Sequence, residues 1–249
     1  MPLEKPPLLL RSFLLLLPVS FFLLFLLLHS NPTKSQLPNP SSGFGSGSTT
    51  LIRMRRSFAS YDDYLKLQLN KTLDPRLRRL WATRDWDRKV AVFSAFFSRL
   101  KTLDLLSNSS RALCVGARLG QEVAALRRIG VADSVGIDLA ASPPLVVEGD
   151  FHSQPFADGS FDFEFSNVFD HALFPDRFVQ EIERTLRPGG VAVLHVAVHR
   201  RGDKYSANDL FGIDGVIGLF KQSAVVSVEK VDGFGLDTEI VMRKTKPAT

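Results

Sequence analysis

Four short stretches of the 249-residue chain present polar side chains, two of them together with glycines that let a backbone approach a ligand. In Gly116-Ala-Arg-Leu-Gly120 the glycines permit a tight loop whose amide groups can face a polar or anionic ligand. Asp138 stands 22 residues beyond Gly116. At that distance an acidic side chain can accept hydrogen bonds from ribose hydroxyls. Glu148-Gly-Asp150 adds two carboxylates, and Ser166-Asn-Val-Phe-Asp-His171 brings an amide, a carboxylate and an imidazole together. His171 is the best-placed general base, with Asp170 beside it to orient it, although a histidine there can also serve only to hydrogen-bond its loop. His195, inside an apolar run, reads as a core residue. The same residues exclude several chemistries. Arg118 and Gln121 occupy two glycine positions of G-x-G-x-x-G, which argues against a nicotinamide cofactor. The chain has no G-x-x-x-x-G-K-[ST] phosphate loop and no G-x-S-x-G nucleophile elbow. Its single cysteine, Cys114, can form no internal disulfide and anchors no zinc cluster, so no metal site is expected.

The elements that must position these residues follow from apolar patterning. Ala112–Val115, Asp133–Asp138, Leu145–Val147 and Phe161–Phe165 read as buried strands, each ending at one of the four stretches. Gln121–Ile129 and Pro175–Leu186 read as helices, Val191–Val198 as a long strand and Ala207–Lys221 as another helix. Val225–Val231 and Thr238–Arg243 close the chain as strands. The loop between them is too short for a crossover helix, so they pair antiparallel. Alternating strands and helices predict a mostly parallel α/β sheet covered on both faces and finished by an antiparallel hairpin, with ligands at the carboxyl ends of its strands.

These residues resemble the class I S-adenosylmethionine-dependent methyltransferases, in particular the type 11 group. The most specific part is Gly149-Asp-Phe-His-Ser-Gln-Pro-Phe-Ala-Asp-Gly-Ser-Phe-Asp162, similar to the family's G-D-x-x-x-L-P-F-x-D-x-S-F-D. The second is Leu186-Arg-Pro-Gly-Gly190, which matches L-x-P-G-G. The resemblance runs from about residue 111 to 198, with the strand order continuing it to about 243. It implies a Rossmann-like fold, methyl transfer and S-adenosyl-L-methionine as cofactor. Gly116 and Gly120 would line the methionine portion, Asp138 would hold the ribose hydroxyls and Leu139 would lie against the adenine. Asp150 would accept from the adenine amino group, Phe151 would flank the ring and Asn167 would sit near the transferred methyl. Cys114 and Arg118 replace an acid and a glycine of the usual acidic-x-G-x-G-x-G loop, and Glu122 can supply the missing carboxylate.

The amino-terminal part lies outside the resemblance. Residues 1–30 hold an almost wholly apolar run, Leu8–Leu28. Its uncharged portion, Ser12–Leu28, spans about 26 Å as a helix, and the full run about 32 Å. No small-residue cleavage site follows, so an uncleaved single-pass anchor is expected rather than a signal peptide. Lys5 and Arg11 precede it and only Lys34 follows closely, which places the body on the lumenal side, in the Golgi or endoplasmic reticulum. Residues 31–50 read as a flexible Pro-, Ser- and Gly-rich linker. Residues 51–105 form a basic helical extension, with 13 Lys or Arg against 5 Asp between Arg53 and Lys101. This charge is read as the solvated face of helices capping a core, and Asp74-Pro75 as a helix start. Residues 106–249 form the methyltransferase-like domain. The expected function is membrane-tethered methyl transfer to an unidentified acceptor, a small molecule or glycan rather than nucleic acid. The alternatives are a catalytically inactive scaffold of the same fold and a nucleotide-sugar transferase. The last would want a D-x-D pair, which Asp162-Phe-Glu164 matches poorly.

Overall fold

The computed structural model describes residues 51–198 and 203–246. The anchor expected in residues 1–30 and the linker over 31–50 lie outside the described residues. Among the described residues no helix is long and apolar enough to cross a membrane.

A short strand, β1 (Ile52–Met54), leads into three helices, α1 (Tyr61–Thr72), α2 (Pro75–Ala82) and α3 (Trp86–Thr102). Capping sets where they begin. The Ser60 hydroxyl accepts from the Asp63 amide at 3.2 Å, and Asp74 Oδ1 accepts from the amides of Arg76 and Leu77 at 2.8 and 3.1 Å. Pro75 occupies the first turn of α2, as expected from Asp74-Pro75.

The alternating part follows as β2 (Ala112–Val115), α4 (Gln121–Arg128), β3 (Ser134–Asp138), β4 (Val146–Glu148) and β5 (Phe161–Ser166). A 3₁₀ turn (Phe169–His171), α5 (Pro175–Thr185) and β6 (Leu186–Val196) come next. The chain then forms β7 (Asn208–Leu210), a single turn α6 (Asp214–Ile217), β8 (Ser223–Gly233) and β9 (Leu236–Lys244). The main sheet has the order β4-β3-β2-β5-β6-β9-β8. It is parallel from β4 to β6, and β9 runs antiparallel to both β6 and β8. This is the layout expected from the alternation and the short last loop. The chain leaves β2 toward β3 and β4, then returns to place β5 on the other side, so a topological switch lies at the carboxyl ends of β2 and β5.

Each sheet face has its own core. Phe93 and Phe97 of α3 pack with Phe163 and Phe165 on one face, the Phe97 and Phe165 rings meeting edge-on at 5.1 Å. Phe161, Phe178, Ile182, Leu194 and Ile240 pack on the other. A register shift between Phe161 and Phe163 sends these aromatics to opposite faces despite their even spacing. Cys114 is a buried member of the first core, where burial pushes its thiol well above the ordinary range.

One expected element is absent. The helix read over Ala207–Lys221 is instead β7, paired antiparallel with β1, followed by the short α6. The apolar spacing fits a helix, but Gly212, Gly215 and Gly218 each cost about 1 kcal/mol there relative to Ala. Pairing with Ile52–Met54 outweighs that weak preference.

At the amino end of the sheet the two sequence motifs lock to each other. Asp162 accepts from the Arg111 amide and from Arg187 Nη1, each at 2.8 Å. Gly189 has φ +85°, and a Cβ on Gly190 would lie 2.9 Å from the Arg187 carbonyl oxygen. Asp158 accepts from Arg184 at 2.8 Å. These residues shape turns far from the strands' carboxyl ends.

Candidate functional site

The loop after β2 is built on backbone geometry. Gly116 has φ +76°, and a Cβ there would meet Val168 Cγ2 at 2.3 Å. Its amide donates to the Ile137 carbonyl at 2.9 Å, which ties β2 to β3 beyond their last paired residues. Arg118 also adopts the left-handed region, at φ +51°. Its amide donates to Asp138 Oδ2 at 2.9 Å, while its guanidinium lies 5.4 Å from the Trp81 ring centre. Gly120 begins α4 at φ +88°, and its missing Cβ makes room for Leu145 and Val146. That glycine serves close packing against β4.

Gly116, Arg118, Asp138, Leu139, Phe151 and His171 line one cavity at the carboxyl ends of the strands. Gln68, Lys71 and Thr72 of α1 and Trp81 of α2 close it from outside, and its volume is about 40 Å³. Asp138 is 8% exposed. Burial pushes its carboxyl above the usual range, partly offset by the amides of Arg118, Ala140 and Leu139.

Asp150 is turned toward α1. One carboxylate oxygen accepts from the Tyr61 hydroxyl and the other from the His152 amide at 2.8 Å. The Phe174 amide donates to His152 Nε2 at 3.2 Å, so neutral His152 carries its proton on Nδ1, which faces Tyr61 at 2.8 Å and Asp150 at 3.3 Å. Burial raises the Asp150 carboxyl, but His152 and the Tyr61 hydroxyl outweigh it and hold the group below the usual carboxylate range. Burial beside Asp150 drives the Tyr61 hydroxyl far upward, so it remains a donor.

Glu122, in the first turn of α4, lies behind Asn167. Asn167 Nδ2 donates to Glu122 Oε1 at 3.1 Å, while the buried Oε2 has no hydrogen-bond partner among the described residues. Burial raises this carboxyl against the opposing pull of Arg118, Lys89 and Asn167. A buried carboxylate oxygen left unpaired is costly, and it suits a cationic or hydrogen-bonding ligand.

His171 sits between two cavities. Its Nδ1 lies 3.2 Å from Gln68 Oε1 and its Nε2 lies 3.2 Å from Lys71 Nζ. Gln68 Oε1 can only accept and the Lys71 ammonium can only donate, so the ring is neutral with its proton on Nδ1. Burial first, then Lys71 and Arg118, lower its pKa against the pull of Asp170 and Asp203. The second cavity, of about 320 Å³, opens on the other side of His171. Asn167, Asp170 and Asp203 meet Lys71, Lys89 and Arg118 there, against a wall that includes Phe93 and Phe234.

The structure thus brings Gly116, Asp138, Leu139, Phe151 and His171 to one cavity, with Asn167 lining its neighbour and bonded to Glu122. Gly120 and Asp150 line neither. His195 lies in the core, with Nε2 2.9 Å from Glu239 Oε2 and no partner for Nδ1 among the described residues. Glu164 of the weak D-x-D match is buried, accepts from Thr185 at 2.6 Å and is pushed up to about 8 by burial. Tyr61, Gln68, Lys71, Trp81 and Lys89 were not among the sequence candidates. One signal was available: the buried face of α1, Tyr64, Gln68 and Thr72, is polar at every position, which is unusual for a helix that only covers a core.

Comparison with known proteins agrees with this architecture. The family described as "Methyltransferase domain" matches residues 113–194, the span from β2 nearly to the end of β6. The chain is similar to the crystal structure of Burkholderia thailandensis 1,6-didemethyltoxoflavin-N1-methyltransferase with bound 1,6-didemethyltoxoflavin and S-adenosylhomocysteine. That match has 15% identity and a TM-score of 0.58, covering 78% of this chain and 95% of that one. The YcgJ protein of Bacillus subtilis matches with 15% identity and a TM-score of 0.50, covering 62% and 98%. No curated protein matches the chain in sequence. Residues 113–194 therefore match the methyltransferase family model, and the described chain has a Rossmann-like α/β fold shared with solved methyltransferases.

Proposed function

We propose that the chain is a methyltransferase that uses S-adenosylmethionine to methylate a small molecule or glycan. The observation that carries this reading is the convergence of Gly116, Asp138, Leu139 and Phe151 at the carboxyl ends of the strands, together with a buried Glu122 oxygen that has no partner among the described residues. When bound, the cofactor supplies an electrophilic methyl group on a sulfonium. Asp138 holds the ribose hydroxyls, and Leu139 and Phe151 flank the adenine. The missing Cβ at Gly116 lets the backbone approach the methionine portion, and Glu122 Oε2 accepts from its ammonium. Asp150 serves the adenine amino group once Tyr61 turns away from it. Asn167 borders the reacting centre. His171, neutral at Nε2, takes the acceptor's proton from the position where Lys71 now donates. Much of the remaining acceleration comes from positioning.

The apolar run Leu8–Leu28 supports a single-pass tether with a lumenal body in the Golgi or endoplasmic reticulum. Protease protection of the body in sealed microsomes tests that arrangement, and full digestion would contradict it.

The second reading is a catalytically inactive binding or scaffold module. It is favoured by the 40 Å³ volume of the first cavity, which holds little more than a water, and by the Tyr61 hydroxyl on Asp150. Calorimetric titration of the full chain with S-adenosylhomocysteine separates the two. Micromolar binding weakened about ten- to a hundredfold by Asp138→Ala is the expected result. No binding by a demonstrably folded chain would favour the scaffold.

A further inference from the structure

We propose that the acceptor is an anionic small molecule, with a carboxylate or phosphate on an apolar body, bound in the second cavity by Lys89 and Arg118. The proposal rests on the methyltransferase reading and adds the acceptor's chemical class to it.

Among the described residues three cations, Lys71, Lys89 and Arg118, face this cavity of about 320 Å³, a volume in the range of small-molecule sites. Lys71 is already engaged, with Asp203 at 2.9 Å and His171 Nε2 at 3.2 Å. Lys89 and Arg118 are different. Neither has a carboxylate within ion-pair distance among the described residues, and their recorded neighbours are aromatic rings: Phe234 at 5.5 Å from Lys89 Nζ and Trp81 at 5.4 Å from the Arg118 guanidinium. Of the acids nearby, Asp170 accepts from the Ser206 hydroxyl and Asp203 serves Lys71. Glu122, whose Oε1 accepts from Asn167, attracts both cations only from beyond ion-pair distance. Burial, and then the like charge of Arg118, bring the Lys89 ammonium down to about 8. An anion placed between Lys89 and Arg118 relieves that repulsion and gains charge-assisted hydrogen bonds. A neutral acceptor leaves both side chains without an anion in contact.

The aromatic lining beside Lys89 fits an apolar body. Phe93 is buried, and the Phe234 ring lies tilted against it with centres 5.5 Å apart. Phe234 and Gly235 form the two-residue turn between β8 and β9, both at positive φ, +57° and +98°. A bulky side chain at +57° is strained, and in this hairpin the strain presents an aromatic ring to the cavity. Asn167 and His171 line the same space, so an anion held at Lys89 leaves the rest of the molecule within reach of the proposed reacting centre.

The test uses the full chain and three probes with the same aromatic body: benzoate, phenyl phosphate and neutral benzyl alcohol. Each is titrated calorimetrically with and without S-adenosylhomocysteine. At least one anion is expected to bind at least about tenfold tighter than benzyl alcohol, and the tighter of the two anions identifies the head group. Lys89→Gln is expected to weaken that anion about ten- to a hundredfold, and Lys89→Arg to restore it. Arg118→Gln gives an independent loss of similar size, and thermal unfolding verifies that each variant is folded. Equal binding of benzyl alcohol, or unchanged anion binding in both Lys89→Gln and Arg118→Gln, would overturn the proposal. If S-adenosylhomocysteine binds and neither anion does, the acceptor class is wrong and the methyltransferase reading stands. If the anions bind at Lys89 and S-adenosylhomocysteine does not, the anion site stands and the methyltransferase reading falls.

Discussion

The turns around Asp158 and Asp162 and the loops at the strands' carboxyl ends handle polar groups in opposite ways. At the amino end Asp162, Arg187, Asp158 and Arg184 satisfy one another and nearby backbone within hydrogen-bond distance. At the carboxyl end, among the described residues, Glu122 Oε2 is buried without a hydrogen-bond partner and neither Lys89 nor Arg118 has a carboxylate within ion-pair distance, while Arg118 and Phe234 hold unfavourable φ angles. A fold tolerates such costs where a ligand or a transition state relieves them. The contrast also divides the signature. Its first half reaches the site through Phe151, and its last residues, together with the L-x-P-G-G motif, hold the frame.

The comparison breaks most severely at Gly116. Gly116→Ala puts a Cβ 2.3 Å from Val168 at φ +76°, so S-adenosylhomocysteine binding is expected to be lost along with about 2–3 kcal/mol of stability, read by calorimetry and denaturant unfolding. Next is His171→Ala, expected to lower kcat about a hundredfold. The wild-type pH profile sharpens that assignment. Burial lowers the His171 pKa, with Lys71 and Arg118 adding to that shift and Asp170 and Asp203 opposing it. Its neutral, proton-accepting form therefore persists at pH 7, and kcat falls only as pH drops through a pKa below the ordinary histidine value of about 6.5. A kcat limb at or above that value would assign the proton transfer to another group. The smallest effect is at the other end of the sheet. Asp162→Ala is expected to cost about 1–3 kcal/mol in unfolding while leaving S-adenosylhomocysteine affinity unchanged.

The sheet was largely legible because buried parallel strands read as short apolar runs, and their ends can be marked by glycines and acids. Asp138 and His171 stand out in this way, since each ends or follows such a strand, whereas Leu139 and Phe151 enter only through the family resemblance. Tyr61, Gln68, Lys71 and Lys89 stand out in neither way. They sit on helices whose periodicity was visible, but which face of a helix docks over a distant strand end is a long-range fact that local pattern does not carry. The strand at Asn208–Leu210 was missed for the same reason, because its partner, Ile52–Met54, lies more than 150 residues earlier. Gly120 illustrates a different limit. A glycine in a loop can serve a ligand or a neighbouring strand, and here Leu145 and Val146 decide the matter.

The most direct measurement is amide hydrogen exchange of the full chain with and without S-adenosylhomocysteine. The account expects added protection at 116–120 and 138–140, and none at 158–162 or 187–190. Protection at the amino end of the sheet, or none at either end under saturating ligand, would contradict it.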